Sequence, residues 1–200
     1  RRFQNVSGQL VRGSSFFLDP DLDADAVTDA VVGIAYEGLA TDVEPGDMLL
    51  LSDGQIELEV TGIEGNRVHT RVVIGGVLSD HKGINLRGGG LSAPALTDKD
   101  REDIRLAAEL DFDYLAVSFV RTAADIEEAR RLFREAGGEG LMVAKIERAE
   151  AVAEIDSIIE ASDVVMVARG DLGVEMGFAE LTGLQKRIIS RTRQRNRIAI

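Results

Sequence analysis

Three short apolar runs constrain the fold of this chain more than any other feature: "YLAVSF" (114–119), "LMVAKIE" (141–147) and "DVVMVARGD" (163–171). Each is rich in branched side chains, and amphipathic segments of helical length separate them. Between the first two, Thr122 with Asp125 three residues on makes a capping signal. Ile126, Ala129, Phe133 and Ala136 then fall at helical spacing, and Gly137-Gly138 closes the segment. Val152, Ile155 and Ile159 form a second helical stripe between the second and third runs. Leu181, Leu184 and Ile188 begin a third, studded with Lys186, Arg187, Arg191, Arg193, Arg195 and Arg197, which reads as a solvated basic face. Strand–helix–strand units this apolar predict a parallel sheet covered on both faces, either a doubly wound sheet or a (β/α) barrel. Both place ligands at the carboxyl ends of the strands. No G-x-G-x-x-G follows a strand, which weakens a dinucleotide-binding version.

The first part of the chain follows a different pattern. "QIELEVT" sets Ile56, Leu58 and Val60 against Glu57 and Glu59, the period of a half-buried strand. "RVHTRVVI" repeats it, and "GIEGN" between them reads as a hairpin connection. "MLLLSDGQ" is a further apolar run broken by an Asp-Gly turn, and "SFFLD" reads as another strand. "HKGINLRGGG", His81 to Gly90, reads as a linker with hinge freedom. The expected division is therefore a β-rich domain over 1–88 and an α/β domain over 89–200.

Two hundred residues suffice for one sizeable domain or two small ones. A net charge of −12 argues against nucleic acid or an anionic membrane surface as the main partner. It leaves room for a phosphate-bearing small substrate held by a local cluster of cations. With no cysteine, disulfides and thiolate metal sites are excluded, which fits a reducing, cytoplasmic compartment. No apolar run approaches the roughly 20 residues of a membrane helix, and no signal peptide is evident. The start at Arg1 and the close on "RIAI", which reads as the opening of another strand, suggest a piece of a longer protein.

Charge collects at the carboxyl ends of the three apolar runs. The first ends in Ser118 with Arg121 beyond, the second in Lys145 and Glu147, the third in Arg169 and Asp171. Residues two apart on a strand share a face, so Lys145 and Glu147 point the same way. Arg169 and Asp171 do so too if their strand stays extended. Neighbouring strands lie roughly 4.8 Å apart, close enough for Glu147 and Asp171 to meet over one ion. Two carboxylates without His or Cys suit a hard divalent cation, most simply Mg²⁺, which keeps water or substrate oxygens in its shell. A lysine beside it supplies positive charge where negative charge develops. Gly170 leaves the backbone open to a ligand, and a helix starting near Leu172 would offer free N–H groups to a carboxylate or phosphate. Read singly, the Lys–Glu pair is an ordinary ion pair and the Asp after Gly a helix cap. Arg169-Gly170-Asp171 also spells an adhesion tripeptide, but such motifs need an exposed loop and this one continues an apolar run. Lys82 stands in a glycine-bearing segment, from which it would reach a nucleotide phosphate if the β-rich region closes as a lid. No role is assigned to Arg169, His69 or His81.

"KIERAEAV", "ASDVVMVARGDLGVE", "ALTDKD", "YLAVSFVR" and "QKRII", with "KGIN" and "GDMLLLSDG" in the β-rich part, together resemble the pyruvate kinase family in its bacterial form. The resemblance runs over nearly the whole chain. It implies a partial (β/α)₈ TIM barrel, residues 89–200 being its middle, with residues 1–88 as an inserted β-rich lid. It implies phosphoryl transfer from phosphoenolpyruvate to ADP, giving pyruvate and ATP in glycolysis. Lys145 matches the catalytic lysine, Glu147 and Asp171 the Mg²⁺ ligands, with Mn²⁺ an alternative ion. Gly170 and Asp171 match the segment that receives the substrate carboxylate, and Lys82 the lid lysine that contacts the nucleotide. A K⁺ whose ligands lie on upstream barrel strands, and a homotetramer at full length, are implied as well. The threonine associated with protonation would lie beyond Ile200, so the chain carries part of an active site. Two other readings stand beside this one. One is a barrel aldolase or lyase that handles a pyruvate enolate on Mg²⁺; the other is a non-catalytic fragment.

Overall fold

The computed structural model describes residues 8–22, 30–79 and 82–200; His81 lies outside them. The chain divides into two compact units, 1–93 and 94–200, each with a core of its own. Among the described residues no helix is long and apolar enough to cross a membrane.

The first unit contains β1 (Gly8–Leu10), β2 (Ser15–Asp19), β3 (Val31–Gly33), α1 (Leu39–Asp42), β4 (Met48–Leu51), β5 (Ile56–Glu64), β6 (Arg67–Ile74), β7 (Gly76–Leu78) and β8 (Ile84–Leu86). Six strands form one sheet in the order β3-β2-β6-β5-β4-β8, while β1 pairs with β7. The alternation in "QIELEVT" is realised as expected. Ile56, Leu58 and Val60 are buried, while Glu57 and Glu59 pair with Arg87 and Arg71. The Ser52-Asp53-Gly54 turn takes positive φ throughout, as the Asp-Gly signal demands.

The segment read as a flexible linker is partly built into this sheet. Residues 84–86 pair antiparallel with β4, in the register Leu49 with Leu86 and Leu51 with Ile84. A three-residue strand inside a glycine-rich run carries too little periodicity to be seen in sequence. Leu91 is buried in the same core, and the Ser92 N–H donates to the Asp42 carboxylate at 2.7 Å. These contacts carry the first unit past residue 88, to Ala93.

The second unit contains α2 (Asp98–Glu109), β9 (Tyr114–Val117), α3 (Ala123–Glu135), β10 (Leu141–Ile146), α4 (Ala149–Ala153), α5 (Ile155–Ala161), β11 (Val164–Val167), α6 (Arg169–Met176), α7 (Phe178–Gln194) and β12 (Ile198–Ala199). Its four strands are all parallel, in the order β12-β11-β10-β9. The helices of this unit share a core with one face of the sheet. Val117, Met142, Ala144, Ile146, Val165 and Val167 share one core with the helices. Their strand neighbours Ala116, Val143, Lys145 and Met166 face the other way.

Local signals explain the helices. The Asp125 carboxylate accepts the Thr122 N–H at 2.9 Å, completing the predicted N-terminal box. The stripe Val152, Ile155, Ile159 is split between two helices, because the backbone breaks at Glu154. The basic run along α7 and just beyond it is only partly a solvated face. Lys186, Arg187 and Arg193 are exposed, but Arg191 and Arg195 pair with Asp156, and Arg197 approaches Asp163.

Candidate active site

The carboxyl ends of β9 and β10 bring Ser118, Lys145 and Glu147 together as the parallel register requires. Val117 stands opposite Ala144, so the next residues, Ser118 and Lys145, meet on the face turned away from the helical core. The Lys145 ammonium donates to Ser118 Oγ at 2.8 Å and lies 2.7 Å from Glu147 Oε1. Glu147 is 2 % exposed. Its other oxygen, Oε2, accepts the Phe119 N–H at 2.7 Å. Phe119 has φ 53°, a conformation side chains rarely adopt, and this turn aims its N–H back at Glu147. A buried carboxylate is thus held by one cation and one backbone donor, which offset the cost of its burial.

The third strand departs from expectation. β11 stops at Val167, and α6 begins at Arg169, three residues before the expected start. Residues two apart on a helix are turned about 200° from one another, so Arg169 does not share a side with Asp171. Arg169 is exposed, and Asp171 is half-buried in the first turn. The adhesion tripeptide is therefore the opening of a helix. The first intrahelical bond runs from the Leu172 N–H to the Ala168 carbonyl at 3.2 Å. The N–H groups of Arg169, Gly170 and Asp171 consequently have no partner within the helix, and the helix dipole adds to their pull on an anion. A Cβ built on Gly170 would meet nothing within 4 Å, so this backbone is open.

The donor set suits a hard cation: carboxylates, with neither His nor Cys beside them. Among the described residues no three His, Cys, Asp or Glu side chains gather around one point. A cation held by Glu147 and Asp171 would therefore complete its shell with water or substrate oxygens. A groove of about 570 Å³ runs along β9, lined mainly by apolar residues such as Leu96, Ile104 and Phe112. It reaches this constellation only at Ser118 and Phe119. Lys82 is exposed just before β8, in the other compact unit. His69 packs its ring edge-on against Phe17 within the first unit, 3.6 Å from Glu64.

The sequence reading missed Phe119 and Glu175. Glu175 is 4 % exposed, and its Oε2 accepts the Ala149 N–H at 2.9 Å. Its signal was legible: an acid alone between Val174 and Met176, one helical turn after Asp171.

A family model described as "Pyruvate kinase, barrel domain" matches residues 3–200. "Pyruvate kinase II" of Salmonella typhimurium is 56 % identical over 191 residues, covering 94 % of this chain and 40 % of that protein. "Pyruvate kinase" of Haemophilus influenzae is 53 % identical, with the same coverage. "Pyruvate kinase" of Buchnera aphidicola subsp. Schizaphis graminum is 52 % identical over 202 residues, covering 100 % of this chain and 42 % of its own. The chain thus spans about two fifths of the length of these curated relatives. Strand ends that converge on a lysine–carboxylate pair beside an open helix terminus agree with that match, and the chain belongs to the pyruvate kinase family.

Proposed function

We propose that this chain supplies Lys145, Glu147, Gly170 and Asp171 to the active site of a pyruvate kinase. That enzyme passes the phosphoryl group of phosphoenolpyruvate to ADP, and the enolate left behind is protonated to pyruvate. The observation that carries the reading is the Lys145 ammonium, fixed between Ser118 and Glu147 at the strand ends. The relatives named above are kinases by name, which favours phosphoryl transfer over an aldolase or lyase.

Phosphoryl transfer asks a protein mainly for positioning and for positive charge where negative charge develops. Lys145 serves that end. Its two acceptors hold the ammonium in place, so little reorganisation is needed as charge moves from the phosphoryl oxygens to the enolate. Glu147 and Asp171 are the proposed Mg²⁺ ligands, with Mn²⁺ as the alternative ion. When bound, that cation would neutralise charge on the substrate and orient it. The open N–H groups at Gly170 and Asp171 take the substrate carboxylate. The four-stranded sheet is read as part of a (β/α)₈ barrel wall. The β-rich unit is read as its lid, with Lys82 contacting the nucleotide on closure. A K⁺ requirement, a homotetramer and a cytoplasmic location belong to the same proposal.

Two experiments test it. Turnover of phosphoenolpyruvate should require ADP and vanish in Lys145→Met; full activity in that variant would overturn the role of Lys145. Calorimetric titration with Mg²⁺ and phosphoenolpyruvate should lose its binding heat in Glu147→Ala and in Asp171→Ala. Binding that survives both substitutions would remove the metal site.

A further inference from the structure

We infer that Glu175 is a positioning residue for the carboxylate pair Glu147 and Asp171: through the Ala149 N–H it locks helix α6 to the end of β10, and so sets the affinity for a divalent cation. The inference rests on the proposed metal site and adds a residue that touches neither metal nor substrate.

Two hydrogen bonds, one between backbones and one from a backbone N–H to a side chain, join the same two segments. At one end the Ala168 N–H donates to the Ile146 carbonyl at 3.1 Å, continuing the ladder between β10 and β11. At the other the Ala149 N–H donates to Glu175 Oε2 at 2.9 Å. Glu147 lies between Ile146 and Ala149, and Asp171 lies between Ala168 and Glu175. Each proposed ligand therefore sits on an arm of a closed frame that is pinned at both ends. Asp171 and Glu175 are four apart on one helix, so they share its face. The side of α6 that Glu175 turns toward the β10–α4 corner is the side that carries Asp171.

The alternatives to this tether are weak. α6 has only eight residues and breaks at Gly177, with φ 87°, so it cannot hold its own orientation by length. Leu172 is fully buried, Val174 is buried as well and Met176 packs against the same core, but apolar contacts are non-directional and fix rotation about the helix axis less sharply than a hydrogen bond does. A hydrogen bond from a buried carboxylate to a backbone N–H is directional and charge-assisted. It also satisfies one of the N–H groups that α4 leaves unpaired at its start. Residues that orient metal ligands in this way commonly shift metal affinity without contacting the ion.

The binding test uses Mn²⁺ as the probe, with free ion counted by electron paramagnetic resonance, on the full-length protein. Glu175→Ala should weaken Mn²⁺ binding by about tenfold. Glu175→Gln, whose amide oxygen still accepts the Ala149 N–H, should recover most of it. Ala149→Pro removes the donor from the other side. The first helical position tolerates proline, and Arg148 before it already has φ −117° and ψ 150°. That variant should weaken Mn²⁺ as well, and its effect and that of Glu175→Ala should combine to less than their product. At high Mg²⁺ the turnover rate of Glu175→Ala should return toward the parent value, whereas that of Asp171→Asn should not. Parent Mn²⁺ affinity in Ala149→Pro overturns the inference, including in the case where Glu175→Ala does not fold. Glu147→Gln and Asp171→Asn separate the two levels: parent affinity in both would overturn the metal site itself, while loss there with no change in the tether variants overturns only the role of Glu175.

Discussion

A single methyl group separates two kinds of glycine in the second unit. At Gly140 a Cβ would lie 2.3 Å from the Phe112 carbonyl oxygen and 2.7 Å from that of Asp113. Backbone atoms cannot rotate aside, so Gly140→Ala should cost about 2 kcal/mol or more, measured by denaturant unfolding. At Gly170 the same methyl meets nothing. Gly170→Ala should leave the melting temperature unchanged or slightly raised, because alanine suits a helix better. It should nonetheless raise KM for phosphoenolpyruvate, since the methyl fills the space proposed for the substrate carboxylate. An unchanged KM would remove Gly170 from the site. Packing has no use for the second glycine, and that makes it a candidate for function. At this scale Lys145 and Glu147 were legible, because strand periodicity alone turns them to one side. Phe119 was not: its part depends on a left-handed turn that no motif announces.

At the scale of elements, Asp163 gathers the entry ends of the second sheet. Its carboxylate accepts the Met142 N–H at 2.9 Å and pairs with Arg130 at 2.9 Å, with Arg197 3.7 Å away. Burial pushes its pKa up, but the Met142 N–H and the Arg130 guanidinium outweigh it, so the carboxyl is held below the ordinary carboxylate range. A group depressed in the folded state stabilises fully above its unfolded pKa. That contribution is lost as pH falls through the lower, folded value. Unfolding of Asp163→Asn against pH should therefore show a loss of about 1–2 kcal/mol at neutral pH, shrinking toward zero in strong acid. A pH-independent difference would place the effect in packing. Helix identity was legible here and helix ends were less so. The amphipathic stripe of α3 and its Thr122–Asp125 box stand in the sequence. The break at Glu154 and the early start of α6 do not, because each depends on where the neighbouring strand ends.

At the scale of the molecule, the two units bury separate cores. Leu58 and Phe133 are each fully buried, one in either core. Truncating either to alanine should cost about 2–5 kcal/mol by leaving a cavity. Hydrogen exchange should report the loss locally. Leu58→Ala should speed exchange across β4, β5 and β6 and leave β9, β10 and β11 as they were, with the reverse for Phe133→Ala. Spread of either effect through both sets would show one cooperative core in place of two.

The amino-acid sequence by itself determined the change from β-rich to α/β pattern, the parallel sense of the second sheet and the positions of Ser118, Lys145 and Glu147 at strand ends. Those features follow from periodicities of two and 3.6 and from turn chemistry, all of which are local. Tertiary structure alone decided which face of that sheet shares a core with the helices and that residues 84–86 join the other sheet. It also placed Asp171 on a helix, and paired Glu175 with Ala149 across 26 residues of chain. Each of these depends on which segments meet in space, and a contact between distant residues leaves no period in the sequence to read.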